Sequence, residues 1–168
     1  MTSATLKKAV LRLHPAQWLC GFVDAAHLRE PGPLAFLLPE GQAREVDATA
    51  LQAVYFVSDF DLVAELTAPP RRGAGALPGL RVRARTRGGL LVEGILATEL
   101  LALGGGLDLT PAHAECAWQR LFVPASALVQ VVPLAMVRLP RRRRARPPRS
   151  GQFPLFHSGS AKPEKEVE

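Results

Sequence analysis

Arginine is the residue type whose number and spacing in this chain point to chemistry. Arg81, Arg83, Arg85 and Arg87 alternate with Val82, Ala84 and Thr86, a period that sets every second side chain on one face of a β-strand. Four guanidinium groups in a stripe form a phosphate-contacting surface, because each keeps its charge and presents a planar fork of donors. The competing reading is a solvated face neutralised by acids such as Glu93 and Glu99. A second concentration follows at Arg138, Arg141, Arg142, Arg143, Arg144, Arg146 and Arg149, where counterion release would attract nucleic acid with strong salt dependence and little sequence preference. Beyond it come Gln152, Phe153, Pro154, Leu155 and Phe156. Three apolar side chains there have no core to join, so a partner pocket or a groove of the protein itself must cover them.

Residues suited to catalysis are sparse. His14, His27, His113 and His157 lack metal-ligand spacing and a sequence-local partner of the needed kind. His113 and Cys116 resemble half of a zinc site, but no second pair follows. No serine sits in a nucleophile elbow and no Gly-rich phosphate loop precedes a lysine. The expectation is a non-enzymatic protein with no metal and no cofactor. Cys20 and Cys116 occupy non-equivalent places, and Lys7 and Lys8 interrupt any leader-like apolar segment, which predicts a soluble cytoplasmic protein with reduced thiols.

The net charge of +6 is local. Residues 1–137 hold twelve Lys and Arg against twelve Asp and Glu, so an anionic partner would meet the C-terminal segment first.

Those residues must be positioned by a repeat. Residues 9–36 superimpose without a gap on 82–109, pairing Arg12 with Arg85, Gly21 with Gly94, Leu28 with Leu101 and Leu34 with Leu107. After a longer loop in the second copy, Val46, Ala48, Ala50, Leu51 and Val54 fall on Val123, Ala125, Ala127, Leu128 and Val131. The first copy predicts strands at Ala9–Leu13, Trp18–Val23, Leu34–Leu38, residues 44–49 and Leu51–Val57. The second predicts them at Leu80–Arg87, Leu90–Leu96, Leu107–Leu109, Leu121–Pro124 and Leu128–Leu134. Gly21 and Gly94 fall inside the second strand of each copy, as a small barrel requires at a sharp bend.

The fold class expected is all-β: two tandem small antiparallel barrels, at 6–62 and 80–137, each marginal in core size alone. A Pro/Gly linker at 63–79 joins them, and a disordered Arg-rich tail occupies 138–168.

The segments WLCGFV and LLVEGIL, each followed by a third strand, a loop and a final apolar strand, resemble the Sm-like and SH3-like small barrels across most of each copy. The first copy, ending in ALQAVYFVSDFD at residues 50–61, is also similar to a bacterial family of paired units that closes its first unit on a Phe-Val-x-Asp-Phe segment. Gln152, Leu155 and Phe156 resemble the Gln-x-x-Leu-Phe peptide by which bacterial replication and repair proteins dock onto the sliding clamp. The barrel resemblance implies a fold and no activity; the arginine charge and the clamp-like peptide together point to a binding or adaptor protein, tethered to DNA or RNA by its arginines and to the clamp by residues 152–156. One alternative is a signalling or scaffold module whose barrels bind a protein or a cyclic nucleotide. Arg142 and Arg146 have the Arg-x-x-x-Arg spacing of cyclic-dinucleotide barrels, but they follow both barrels, and Asp47, Ala48 and Thr49 depart from the companion motif. The other alternative is an Sm-like RNA-binding protein using Arg81 to Arg87, although residues 24–30 do not match the family's RNA-binding loop.

Overall fold

The computed structural model describes residues 6–66, 77–97, 105–113 and 115–137. Alternating apolar positions and β-branched runs give five strands in the first half: β1 (Leu6–Leu13), β2 (Gln17–Asp24), β3 (Leu34–Leu37), β4 (Ala43–Val46) and β5 (Leu51–Val57). Five more follow as β6 (Gly79–Thr86), β7 (Leu91–Leu96), β8 (Leu107–Thr110), β9 (Trp118–Val123) and β10 (Leu128–Val137). Two 3-10 helices, Ala25–Arg29 and Phe60–Glu65, lie wholly within the described residues. The all-β class expected from the sequence is what forms.

The repeat persists in three dimensions down to the hydrogen-bond register. In the first half β2 meets β3 through Phe22 opposite Leu37 and Val23 opposite Phe36. The second half aligns Ile95 with Thr110 and Leu96 with Leu109, the equivalent positions. The β1–β5 ladder shifts register after Arg12, and the β6–β10 ladder shifts at the matching place, between Leu128 and Gln130.

The strand glycines have a steric reason. A Cβ on Gly21 would collide with the Leu37 carbonyl oxygen and the Phe36 ring, and one on Gly94 would lie 2.8 Å from the Thr110 carbonyl oxygen. In both halves the second strand must bend against the third, and no side chain fits at the crossing.

All ten strands belong to one antiparallel sheet ordered β10-β6-β7-β8-β9-β5-β1-β2-β3-β4. The halves are therefore not separate sheets: β5 pairs with β9, setting Val54 opposite Phe122, Tyr55 opposite Leu121 and Phe56 opposite Arg120. One apolar cluster draws Val10, Tyr55 and Val57 from the first half and Val82, Leu107 and Leu121 from the second. A second cluster lies mainly in the first half and takes in Phe122. Core sharing answers the marginal size of each half, since a unit of this length buries too little surface alone.

Several boundaries differ from those expected. Strand β4 stops at Val46, because Asp47 to Ala50 make a turn in which the Asp47 carboxylate accepts from the Thr49 amide at 2.8 Å. Gly79 opens β6 instead of ending a linker. Strand β10 runs three residues past Leu134, with Pro133 beside a register shift on a strand at the edge of the sheet. Most of the expected linker (67–76) and all of the expected tail (138–168) lie outside the described residues.

Gly21→Ala and Gly94→Ala are each expected to destabilise the protein by about 1–3 kcal/mol, the usual cost of forcing extra atoms into a packed site. The urea midpoint should fall with an unchanged denaturant slope, and Gly21 should be the more sensitive of the two.

Candidate functional site

Strand β6 delivers the arginine stripe, but only part of it stays free. Arg81 Nη2 donates to Glu93 Oε2 at 2.8 Å and Arg83 Nε to Glu93 Oε1 at 2.6 Å. Glu93, one of the two acids expected there, stands directly opposite Arg83 on β7; Glu99 lies outside the described residues. Partial burial pushes the Glu93 carboxyl up, but the hydrogen bonds from Arg83 and Arg81 outweigh it and hold the group below its ordinary value. Arg85 lies further along the same face, exposed, and Arg87 lies beyond the strand in the turn that carries Gly88 and Gly89. Neither has an ion-pair partner among the described residues. The stripe of four equivalent arginines thus resolves into a pair that shares one carboxylate and a pair without an ion-pair partner among the described residues.

Comparison of the halves explains why this face is open. Arg83 occupies the place of Val10, and Gln130, which pairs with Arg85 from β10, that of Ala53. Val10 and Ala53 are fully buried in the cluster the halves share. A face that packs against the other half in the first copy carries arginine and glutamine in the second, and a polar outer face is how an array of similar units ends.

Two polar groups that the sequence reading passed over bind the halves together at the β5–β9 junction. Asp108 on β8 has a side chain only 3% exposed, and it accepts from Arg29 of the first 3-10 helix and from Arg120 of β9. Arg120 reaches Asp108 Oδ1 through Nε at 2.8 Å and Nη2 at 2.7 Å, and its guanidinium also lies 5.5 Å from the Phe56 ring centroid. Arg29 lies similarly over Phe122, at 5.7 Å. Elsewhere on the junction the buried Gln52 of β5 accepts from Thr86 Oγ1 at 2.8 Å, while its amide nitrogen lies 3.2 Å from His14 Nδ1. Thr86 Oγ1 in turn accepts from the Leu90 amide at 3.1 Å. The available signal was a polar residue inside an apolar run: Asp108 between Leu107 and Leu109, Gln52 between Leu51 and Ala53.

An aromatic row, Trp18, Tyr55 and Trp118, crosses the same junction with ring centroids 5.7 and 6.4 Å apart. Burial pushes the Tyr55 hydroxyl up to about 12, against an opposing pull from Arg12, so the phenol stays neutral in ordinary buffers. Arg12, the counterpart of Arg85, stacks 4.7 Å from the Trp18 ring centroid and donates to the Ala16 carbonyl at 2.9 Å. It is therefore already engaged.

The remaining sequence candidates are dispersed. Cys116 has a thiol pushed up by burial, with a hydrogen bond from the His113 backbone opposing the shift. Cys20, likewise half-buried and raised, is a free cysteine. Among the described residues no group of three or more His, Cys, Asp or Glu converges as a metal site would require. An open depression of about 490 Å³ is lined by Gly32, Pro33, Glu45, Asp47, Ala48 and Thr49, with Asp47 committed to its own turn. Arg138, Arg141, Arg142, Arg143, Arg144, Arg146, Arg149, Gln152, Leu155 and Phe156 lie outside the described residues. No helix among the described residues is long and apolar enough to cross a membrane.

Asp108→Ala would leave two guanidinium groups facing each other without their carboxylate. The expected loss is about 1–3 kcal/mol, the scale of lost hydrogen bonds to a charged group, since both guanidinium groups left behind still reach water, checked by equilibrium urea unfolding. Arg29→Ala, which leaves Arg120 in place, should cost less.

No curated protein and no solved structure is similar enough to this chain to register as a match. One family model does match, over residues 5–135, a span that takes in all ten strands but for the last two residues of β10. The chain accordingly belongs to a family of unknown function (DUF6982).

Proposed function

We propose that this chain is a non-catalytic adaptor. Two small barrels of Sm-like or SH3-like type form a rigid pair, and arginines tether that pair to nucleic acid. The order β5-β1-β2-β3-β4, repeated as β10-β6-β7-β8-β9, supports the reading of each half as a strongly bent barrel of its own. The observation that carries the tethering is the division of the stripe. Arg81 and Arg83 share Glu93, whereas Arg85 and Arg87 are exposed and have no ion-pair partner among the described residues. They would supply a small, fixed phosphate contact, and Arg141, Arg142, Arg143, Arg144, Arg146 and Arg149 a larger, sequence-tolerant one. In this reading Gln152, Leu155 and Phe156 dock the same chain onto a sliding clamp. Linkage through one polypeptide makes two weak attachments act as a stronger one.

The strand order also favours a second reading, RNA binding by the barrels themselves through the β6 face. Salt dependence separates the two. Replacing the six tail arginines 141, 142, 143, 144, 146 and 149 by serine should reduce the slope of log K against log salt by about 0.9 for each lost phosphate contact on duplex DNA, or about 0.7 on a single strand. Arg85→Ser with Arg87→Ser should reduce it by no more than two such steps, and Glu93→Gln, which frees Arg81 and Arg83, should steepen it. If the Arg85/Arg87 change abolishes RNA binding while the tail change leaves it intact, the barrel reading replaces the tether. If neither change alters the slope, nucleic acid is not the partner.

The docking peptide is tested separately, with full-length protein and a purified bacterial sliding clamp. Leu155→Ala and Phe156→Ala should each weaken binding at least about tenfold, the effect of losing an apolar anchor worth roughly 1.4 kcal/mol or more. Equal signals from wild type and variants would remove the clamp from the proposal.

A further inference from the structure

Strand β5 is buried along its whole length because β1 covers one edge and β9 the other. Among the described residues its counterpart β10 pairs only with β6. It offers ten residues without a single charge, Leu128 to Val137, and leaves Val129, Val132, Leu134 and Met136 exposed at 52%, 38%, 39% and 60%. A long uncharged edge strand pairs readily with another chain, and proteins usually blunt such edges with short length and charge. The opposite edge of this sheet is blunted in that way: β4 is four residues long and exposes Arg44 and Glu45. One edge is short and charged; the other is long and uncharged, interrupted only by Pro133 and two register shifts.

We infer that β10 is a self-association surface, on which two copies of this chain pair β10 against β10 in antiparallel fashion about a two-fold axis. Charge distribution selects this occupant. About a two-fold axis the residues of a strand face residues of the same strand, so a charge near the centre meets its like, and β10 has none to clash. Repeating the internal β5–β9 junction between molecules would instead set β10 against β4. The register of that junction would then place Glu45 opposite Val131 and Arg44 opposite Val132, where the internal junction has Phe122 and Leu121. Those charges would lose water without gaining a partner. Self-pairing also closes the assembly, for it consumes both uncharged edges and leaves the two charged β4 edges outermost. Of the three β6 arginines paired with β10, Arg81 and Arg83 already share Glu93, and Arg85 stands exposed opposite Gln130.

The inference is independent of nucleic-acid binding, and its test reads mass. The full chain is measured by sedimentation or light scattering over a range of concentrations, with folding of each variant checked by circular dichroism. The expected result is a monomer–dimer equilibrium. Val132→Lys, and separately the more exposed Met136→Lys, should move its midpoint on the order of tenfold higher in concentration or beyond. Arg44→Ser with Glu45→Ser should leave it unchanged. A monomer at every concentration overturns the inference, as does a dimer indifferent to both lysine variants. Trimers or an open series of masses responding to the β4 change would also overturn it, by assigning β10 to the β4 edge of another copy.

Discussion

The pairing of β5 with β9 is the constraint on which the molecule depends. It converts two five-strand units into one sheet and covers both edges of β5. It also makes a common core from residues that neither half could bury fully alone. Each large apolar side chain taken from water there stabilises the fold by about 1.5–3 kcal/mol. Leu121 and Phe122 from β9, with Tyr55 and Phe56 from β5, concentrate that contribution at the seam.

Polar groups fix how the seam is registered. Asp108 is held by one arginine from its own half and one from the other, and Gln52 joins Thr86 in a buried side-chain pair. Such groups add little net stability when satisfied but cost heavily when one partner is missing, so an alternative register of β5 on β9 would strand a buried carboxylate or amide. Gly88 belongs to the same arrangement, because a Cβ there would occupy the space of the Gln52 amide. A small turn residue thereby admits the polar group that identifies the correct partner strand.

Much of this architecture was legible in the chain because its signals are local. The alternation in β6, the apolar run of β5 and the matched Gly21 and Gly94 each point to strands or bends within a few residues. The repeat carried further, since its spacing reproduces even the register of β2 on β3 in the second half. What pairs across the halves was not legible. Arg29 and Asp108 are 79 positions apart, and nothing in the apolar pattern of β9 says that its free edge meets β5. The arginine stripe was found from its period, but its division into engaged and free members depended on how far Glu93 could reach across two neighbours. Strand β4 is shorter than its alternation predicts, because Asp47, Ala48 and Thr49 continue an apparent alternation that the Asp47 side chain converts into a turn.

The seam also sets a schedule for the growing polypeptide. Strand β5 leaves the ribosome well before β9, and at roughly 5–20 residues per second the interval is on the order of 3 to 13 seconds. Throughout it Tyr55, Phe56 and Val57 form a bare hydrophobic margin on a nascent half-protein. Translation speed over the second half therefore governs how long that margin is open to capture by a chaperone or by a neighbouring nascent chain.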